Sequence, residues 1–279
     1  MTEPIVPRSE HKTAANTMSG RIKTLHFQAL LRACLVQASA GCVHSIAVNG
    51  PHLSPAAEES QIVQKLEALG ARLFKDGEHV VEVRLDRTRV VDEDLRLVAA
   101  LPEVTDLSLE QTQVGDTGVS YLKSLRKLEW LNLFGTRVGD NGLRHLKEVT
   151  SLKDLPIGHT TVTDVGLVHL ESMPQLRYLG LRGDAVTDAG LKHLRTLKTL
   201  TGLHLGETKV SDEGLRQLQG LIQLQRLWLH NTQISDNAVT HLTTLKELKE
   251  LYIYETQISD EGIKKLQTAL PECHIVTHR

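Results

Sequence analysis

The sequence predicts an α/β solenoid, a coil of short strands and short helices stacked turn upon turn, and three observations carry that prediction. Eight aspartates, Asp92, Asp116, Asp140, Asp164, Asp188, Asp212, Asp236 and Asp260, stand 24 residues apart without a slip. Within each unit the apolar period changes from two to three, as a strand followed by a short helix requires. Hydrophobic residues make up 40% of the 279-residue chain but aromatics only 3%, so the core material is leucine and valine, suited to many small identical layers.

In step with the aspartates run Thr88, Thr112, Thr136, Thr160, Thr208, Thr232 and Thr256, with Asp184 standing at the fifth of these places. Each unit reads L-x-x-L-x-L-x-x-T-x-[VI]-x-D-x-G-L-x-x-L-x-x-L, and the register holds from about Val80 to Leu270. In the third unit Leu131 and Leu133 alternate with Trp130, Asn132 and Phe134, as in a strand with one buried face. Leu143, Leu146 and Val149 then recur every third residue, a short helix with one buried stripe. Neither piece can bury its apolar side alone. At roughly 1.5–3 kcal/mol per buried Leu or Val, the roughly seven apolar positions of a turn offset the ordering entropy only when neighbouring turns cover them.

The ends differ from the repeats. Ser54 and Pro55 form a helix start, and Ile62, Val63, Leu66 and Leu69 make a stripe that stops at Gly70. Residues 71–75 and 79–85 flank Asp76-Gly77, a hairpin signal. The expected organisation is therefore a cap helix and hairpin over 54–79, eight repeats over 80–270 and a cap strand over 271–279. In that last segment Pro271 stops the final helix and His274, Ile275 and Val276 form the strand. Residues 1–53 read as a leader and linker. From Met18 they resemble a bacterial lipoprotein signal, with Arg21 and Lys23, an apolar stretch, and Ala38-Ser39-Ala40-Gly41 before Cys42, the residue that would carry the lipid. Gln28, Arg32 and Gln37 interrupt the apolar stretch, so a helical cytoplasmic leader stands as the alternative to a cell-envelope lipoprotein.

Several function classes lose their basis. A net charge of −2, from 32 basic and 34 acidic residues, gives no attraction to nucleic acid or, apart from a lipid anchor, to a membrane. Cys34, Cys42 and Cys273 are too scattered for a disulfide framework or a zinc site. No nucleophile-elbow, phosphate-loop, dinucleotide or H-E-x-x-H motif occurs, so neither an enzyme nor a cofactor is expected. The aspartate ladder is expected to cap, each carboxylate serving its own helix for about 1 kcal/mol, rather than to hold calcium. Ser or Thr precedes it in five of the eight units, from Thr163 to Ser259. His145, His169, His193 and His241 share one helix position and are expected to face water, with no second ligand type beside them for a metal.

The unit resembles the leucine-rich repeat, in its Thr-x-[Val/Ile]-x-Asp-x-Gly-Leu variety related to the cysteine-containing subtype, with threonine where that subtype has cysteine. The resemblance extends over about two-thirds of the chain. It implies a right-handed horseshoe with a parallel sheet on the concave face, short helices on the convex face and a role in protein recognition. More distantly the unit resembles the repeat half of F-box adaptors of ubiquitin ligases, although residues 1–53 show no clear F-box.

The scarce aromatics mark the face expected to bind. Three positions in each unit, those flanking and separating the two strand leucines, project away from the core. Of the nine Phe, Trp and Tyr in the chain, Trp130, Phe134, Tyr178, Trp228, Tyr252 and Tyr254 fall there, where an even scatter would put about one. With His204, Arg226 and His230 they form the candidate binding surface, read as exposed and outside the leucine core. Glu82, Asp86, Asp106, Glu110 and Asp154 make the opposite end acidic. Pro156, Gly158, Gly180, Gly202 and Gly206 are expected to leave the middle bare. The expected partner is a protein or peptide; a glycan or small ligand stacking on the aromatics is the alternative.

Overall fold

The computed structural model describes residues 55–278, so the leader reading and Cys42 lie outside the described residues. The described part begins with helix α1 (Pro55–Ala68), which buries Leu66 and ends as Gly70 turns the chain at φ +91°. A hairpin follows, β1 (Arg72–Asp76) and β2 (His79–Arg84), turning at Gly77. Eight short strands then recur along the chain. They are β3 (Asp106–Ser108), β4 (Trp130–Asn132), β5 (Asp154–Pro156), β6 (Tyr178–Gly180), β7 (Gly202–His204), β8 (Arg226–Trp228), β9 (Glu250–Tyr252) and β10 (His274–Val276). All ten form one sheet in sequence order, antiparallel between β1 and β2 and parallel from β2 onward. Equivalent residues face one another across the parallel pairs, as Leu179, Leu203, Leu227 and Leu251 do. Between β4 and β5 only Trp130 and Asp154 pair, because Pro156 accepts from the Leu133 N–H at 2.8 Å but has no N–H to return. Among the described residues no helix is long and apolar enough to cross a membrane.

A helical turn follows each strand from β2 to β9 on the other side of the core. Asp140–Leu146 is α-helical, Gly166–Ser172 is a 3₁₀ helix, and Asp188–Leu191 passes from α into 3₁₀ over Lys192–Thr196. The apolar spacing of three, rather than three and four alternating, is the 3₁₀ period. Leu131, Leu133, Val138, Leu143 and Leu146 of the third unit are wholly buried, and so are nearly all their counterparts; in the last unit Ile258 and Ile263 are only partly covered. The repeated threonine ties the loop after the strand. Thr112, Thr136, Thr208 and Thr232 each donate a hydroxyl hydrogen bond to the carbonyl three residues earlier, at 2.6–2.8 Å.

One backbone feature of this loop has no counterpart in the sequence pattern. Arg87, Gln111, Gly135, His159, Gly183, Glu207, Asn231 and Glu255, again 24 residues apart, all take the left-handed conformation, with φ between 51° and 70°. Six are not glycine, at about 1 kcal/mol each. The conformation is held because these N–H groups extend the parallel ladder beyond the strands, as His159 to Arg182 O at 2.7 Å and Glu207 to His230 O at 3.0 Å.

The aspartate ladder works differently from the capping expectation. Each carboxylate from Asp92 to Asp236 reaches across to the following turn and accepts from the residue 23 positions later, the one that stands before the next helix. Asp188 takes the Ser211 N–H at 2.8 Å and its hydroxyl at 2.5 Å. Asp140, Asp164, Asp212 and Asp236 make the same two bonds to Thr163, Thr187, Ser235 and Ser259. Asp92 and Asp116 make only the N–H bond, at 2.6 and 2.7 Å, because Gly115 and Gly139 have no hydroxyl. This staple also explains the glycine two residues after the aspartate. A Cβ on Gly142 would lie 2.7 Å from the Asp116 carboxylate of the preceding turn, and one on Gly118 would lie 2.6 Å from that of Asp92.

The two roles separate experimentally. Asp188→Ala removes two charge-assisted bonds and should lower unfolding stability by about 2 kcal/mol. Asp260 opens the last helix and has no later turn to hold. If the staple governs, Asp260→Ala leaves the urea midpoint nearly unchanged; if own-helix capping governs, the two variants lose equally.

Candidate functional site

The register of the parallel sheet brings three rings into line. Pairing of β7, β8 and β9 sets His204 beside Trp228 and Trp228 beside Tyr252. Their rings stack with centroids 5.3 and 5.4 Å apart and planes within 6° and 12°. Two residues further along, His230 stacks on Tyr254 at 4.6 Å and 5°, and His204 meets His230 edge to face at 5.3 Å. Tyr178 of β6 completes the group with its ring edge toward Trp228 at 6.2 Å.

Two sequence expectations need correction here. The rings were expected to be exposed, yet Trp228 keeps only 8% of its surface, His230 1% and Tyr254 5%, because each ring lies against the next. Nor is the middle of the face bare. The rings lean sideways over the glycines, so that a Cβ on Gly202 would lie 2.8 Å from Tyr178 Cδ2 and one on Gly206 2.5 Å from His230 Nε2. These glycines are seats for rings rather than an open floor.

Burial sets the protonation states. It holds His204 well below the ordinary histidine range, and the neighbouring His230, Arg182 and His159 act in the same direction, so this ring is neutral when it stacks. It pushes the Tyr178 phenol up, keeping the hydroxyl protonated. Above the rings His159 and Glu207 of the left-handed loop column form a charged group with Arg182. Arg182 donates from Nε at 3.0 Å and from its terminal nitrogen at 2.6 Å to Glu207 Oε1, and His159 Nε2 lies 3.4 Å from Glu207 Oε2. Burial opposes ionisation of Glu207, but the bond to Arg182 and its charge outweigh it and leave the carboxyl below its ordinary value.

The nine expected site residues do not form one patch. His204, Arg226, Trp228, His230, Tyr252, Tyr254 and Tyr178 gather on β6–β9 and the loops that follow. Phe134 instead meets His159 edge to face at 5.0 Å, and Trp130 on β4 enters neither group. His159, Arg182 and Glu207 escaped the sequence reading; His159 and Glu207 lie in the 24-residue loop column, which a count of strand positions passes over, while Arg182 flanks Leu181 at a strand position that a search for aromatics leaves out. At the acidic end the carboxylates are already engaged. Asp86 accepts from the Ser108 hydroxyl and the Glu110 N–H, Glu110 from Asn132 and Arg87, and Glu82 from Arg84. On the helix side the four histidines are half-buried instead of free in water. His193 meets Glu171 at 2.5 Å and His241 meets Gln219 at 2.9 Å. Burial lowers the pKa of His169. Among the described residues no group of three His, Cys, Asp or Glu is arranged to hold a metal ion.

No protein-family model and no curated protein sequence matches the chain. Solved structures do. An internalin (inlF) of Listeria monocytogenes is 24% identical with a TM-score of 0.57, over 71% of this chain and 53% of its own, so this chain spans about half its length. An internalin C2 of the same organism is 24% identical with a TM-score of 0.59, over 80% of this chain and 93% of its own. The leucine-rich-repeat ectodomain of the Arabidopsis receptor kinase HAESA, solved with a peptide hormone ligand, is 19% identical with a TM-score of 0.62, over 81% and 41%. At this identity the likeness is one of architecture, and together with the ten-stranded sheet and its helical turns it establishes that the chain is folded as an α/β leucine-rich-repeat solenoid.

Proposed function

We propose that the sheet face of β6–β9 binds an extended segment of a protein, lying across the strands over the ring ladder. The observation that carries this reading is the in-register stack of His204, Trp228 and Tyr252, which gives three adjacent strands one continuous apolar rim with Arg226 and Glu250 beside it. Leucine-rich-repeat proteins serve as interaction modules in general, and the plant ectodomain was solved with a peptide. A glycan is the weaker candidate. Sugars stack on free ring faces, whereas Trp228 has His204 on one face and Tyr252 on the other. A ubiquitin-ligase adaptor role would depend on residues 1–53, outside the described part.

Tyr252 and Arg226 are half-buried and therefore suited to a test that spares the fold. With a peptide selected from a displayed library against the full chain, Tyr252→Ala and Arg226→Ala should each cost at least about 2 kcal/mol of binding. His169→Ala and His193→Ala, on the helix side, should cost nothing measurable. Equal losses from both pairs would place the binding elsewhere.

A further inference from the structure

We propose that Arg226 is the seat for an acidic side chain, Asp or Glu, of the segment bound across the ladder; this rests on the reading of β6–β9 as the binding face. Among the described residues five arginines stand on the sheet face or in the loop column beside it, Arg72, Arg84, Arg87, Arg182 and Arg226. Arg84 pairs with Glu82, Arg87 with Glu110 and Arg182 with Glu207. Arg72, exposed on the edge strand, and Arg226, half-buried in the ladder, have no carboxylate within ion-pair distance among the described residues; the Arg226 guanidinium carbon lies 5.9 Å from the Trp228 ring centre.

The reason is local. The carboxylate in register with Arg226 is that of Glu250, and the Tyr252 hydroxyl holds it at 3.0 Å. On the other side the neighbouring strand offers Gly202, without a side chain, and beyond it Tyr178, whose protonated phenol has no hydrogen-bond partner among the described residues. A half-buried guanidinium and a phenol thus share one stretch of the face, both donors and both unanswered. A carboxylate arriving there would take paired N–H bonds from a planar fork already steadied by the indole, in a setting where burial strengthens the attraction. A single free cation suits one negative charge. A phosphate dianion would meet Glu250 and Asp154 in the same row with no second cation to balance it. Because strands of the ladder continue on both sides of β8, the acid is expected within the segment rather than at its end.

The test selects random displayed peptides on the full chain and measures synthetic versions of the winners. Sequences enriched in Asp or Glu are expected. Changing that residue to Asn or Gln should weaken binding at least tenfold to the native chain but less than twofold to Arg226→Gln, and Arg226→Glu should prefer a lysine at the same place. The unfolding midpoint of Arg226→Gln should match the native value, since no ion pair is lost. If Tyr252→Ala weakens the winners while they carry no acidic preference and ignore Arg226→Gln, the seat is wrong and the face stands. If amidating the peptide terminus, rather than replacing the acidic side chain, causes the loss, Arg226 takes a chain end and the proposal fails. If no peptide is selected, or Tyr252→Ala is without effect, the binding face falls and the seat with it.

Discussion

Asp184→Thr should stabilise the protein strongly at alkaline pH and hardly at all in acid. Asp184 occupies the place of the repeated threonine, 3% exposed, and accepts from the Thr160 N–H at 2.7 Å and the Thr160 hydroxyl at 3.1 Å. Its second oxygen is buried with no partner. Burial pushes its pKa from the ordinary 3.8 to about 8, and the two Thr160 bonds only partly oppose this. The folded chain therefore keeps a proton that the unfolded chain has released over that interval. The folded-state pKa being the higher one, the stabilisation is complete below about pH 4 and is lost as pH rises toward 8. At roughly 1.4 kcal/mol per pH unit the ceiling is roughly 5–6 kcal/mol. Threonine restores the hydroxyl-to-carbonyl tie of the other turns and does not titrate. Urea unfolding at pH 5, 7 and 9 should show the advantage of Asp184→Thr growing at each step. A constant difference would mean that the carboxyl ionises normally.

Trp228→Ala should cost roughly 3–5 kcal/mol of stability, the usual loss for a buried Trp or Phe cut to Ala. This reverses the sequence-based expectation that the ring lies outside everything the fold needs. With the indole gone, the rings of His204 and Tyr252 lose the face each rests on, and Tyr178 loses its edge contact. Trp228→Phe keeps an aromatic body between the two neighbours and should recover more than half of the loss. Urea midpoints of the two variants check this directly. If Trp228→Ala unfolds like the native chain, the stack contributes nothing to the fold and exists for binding alone.

The fold was legible because each turn repeats the same instruction. Leu131 and Leu133 at a spacing of two, and Leu143 and Leu146 at a spacing of three, fix a strand, a helical turn and the side each buries. Which residues share the open face follows from the same alternation, so the sequence alone puts Trp228 and Tyr252 on one surface. What they do there was not legible. Whether a ring stands up or leans on its neighbour depends on the residue one strand away, as Gly206 beneath His230 shows, and that relation joins residues 24 positions apart. A separation of 23 positions likewise hid the target of the aspartates. A carboxylate at a helix start reads as a cap in any single turn, and only the stacked coil reveals that Ser211 is nearer to its need than its own helix. The left-handed column was silent because position, not residue type, imposes it: Arg87 and Glu207 adopt there what glycine would adopt freely.

The staples have a direction and an uneven grip. Asp92 and Asp116 hold the following turn by one hydrogen bond each, while the five junctions from Asp140 to Asp236 are fastened by two. In a linear array whose cohesion is the sum of its neighbour couplings, the weakest links decide where opening begins. The imperfect pairing of β4 with β5 at Pro156 marks the far side of that weaker stretch. Such an array behaves like a rod with one soft end. Amide exchange should be fastest over the turns before Pro156 and slowest over β6–β9, so partial melting would shed the first turns while the stretch bearing the rings stayed closed. Uniform exchange along the array would show that the missing hydroxyls leave no trace in its dynamics.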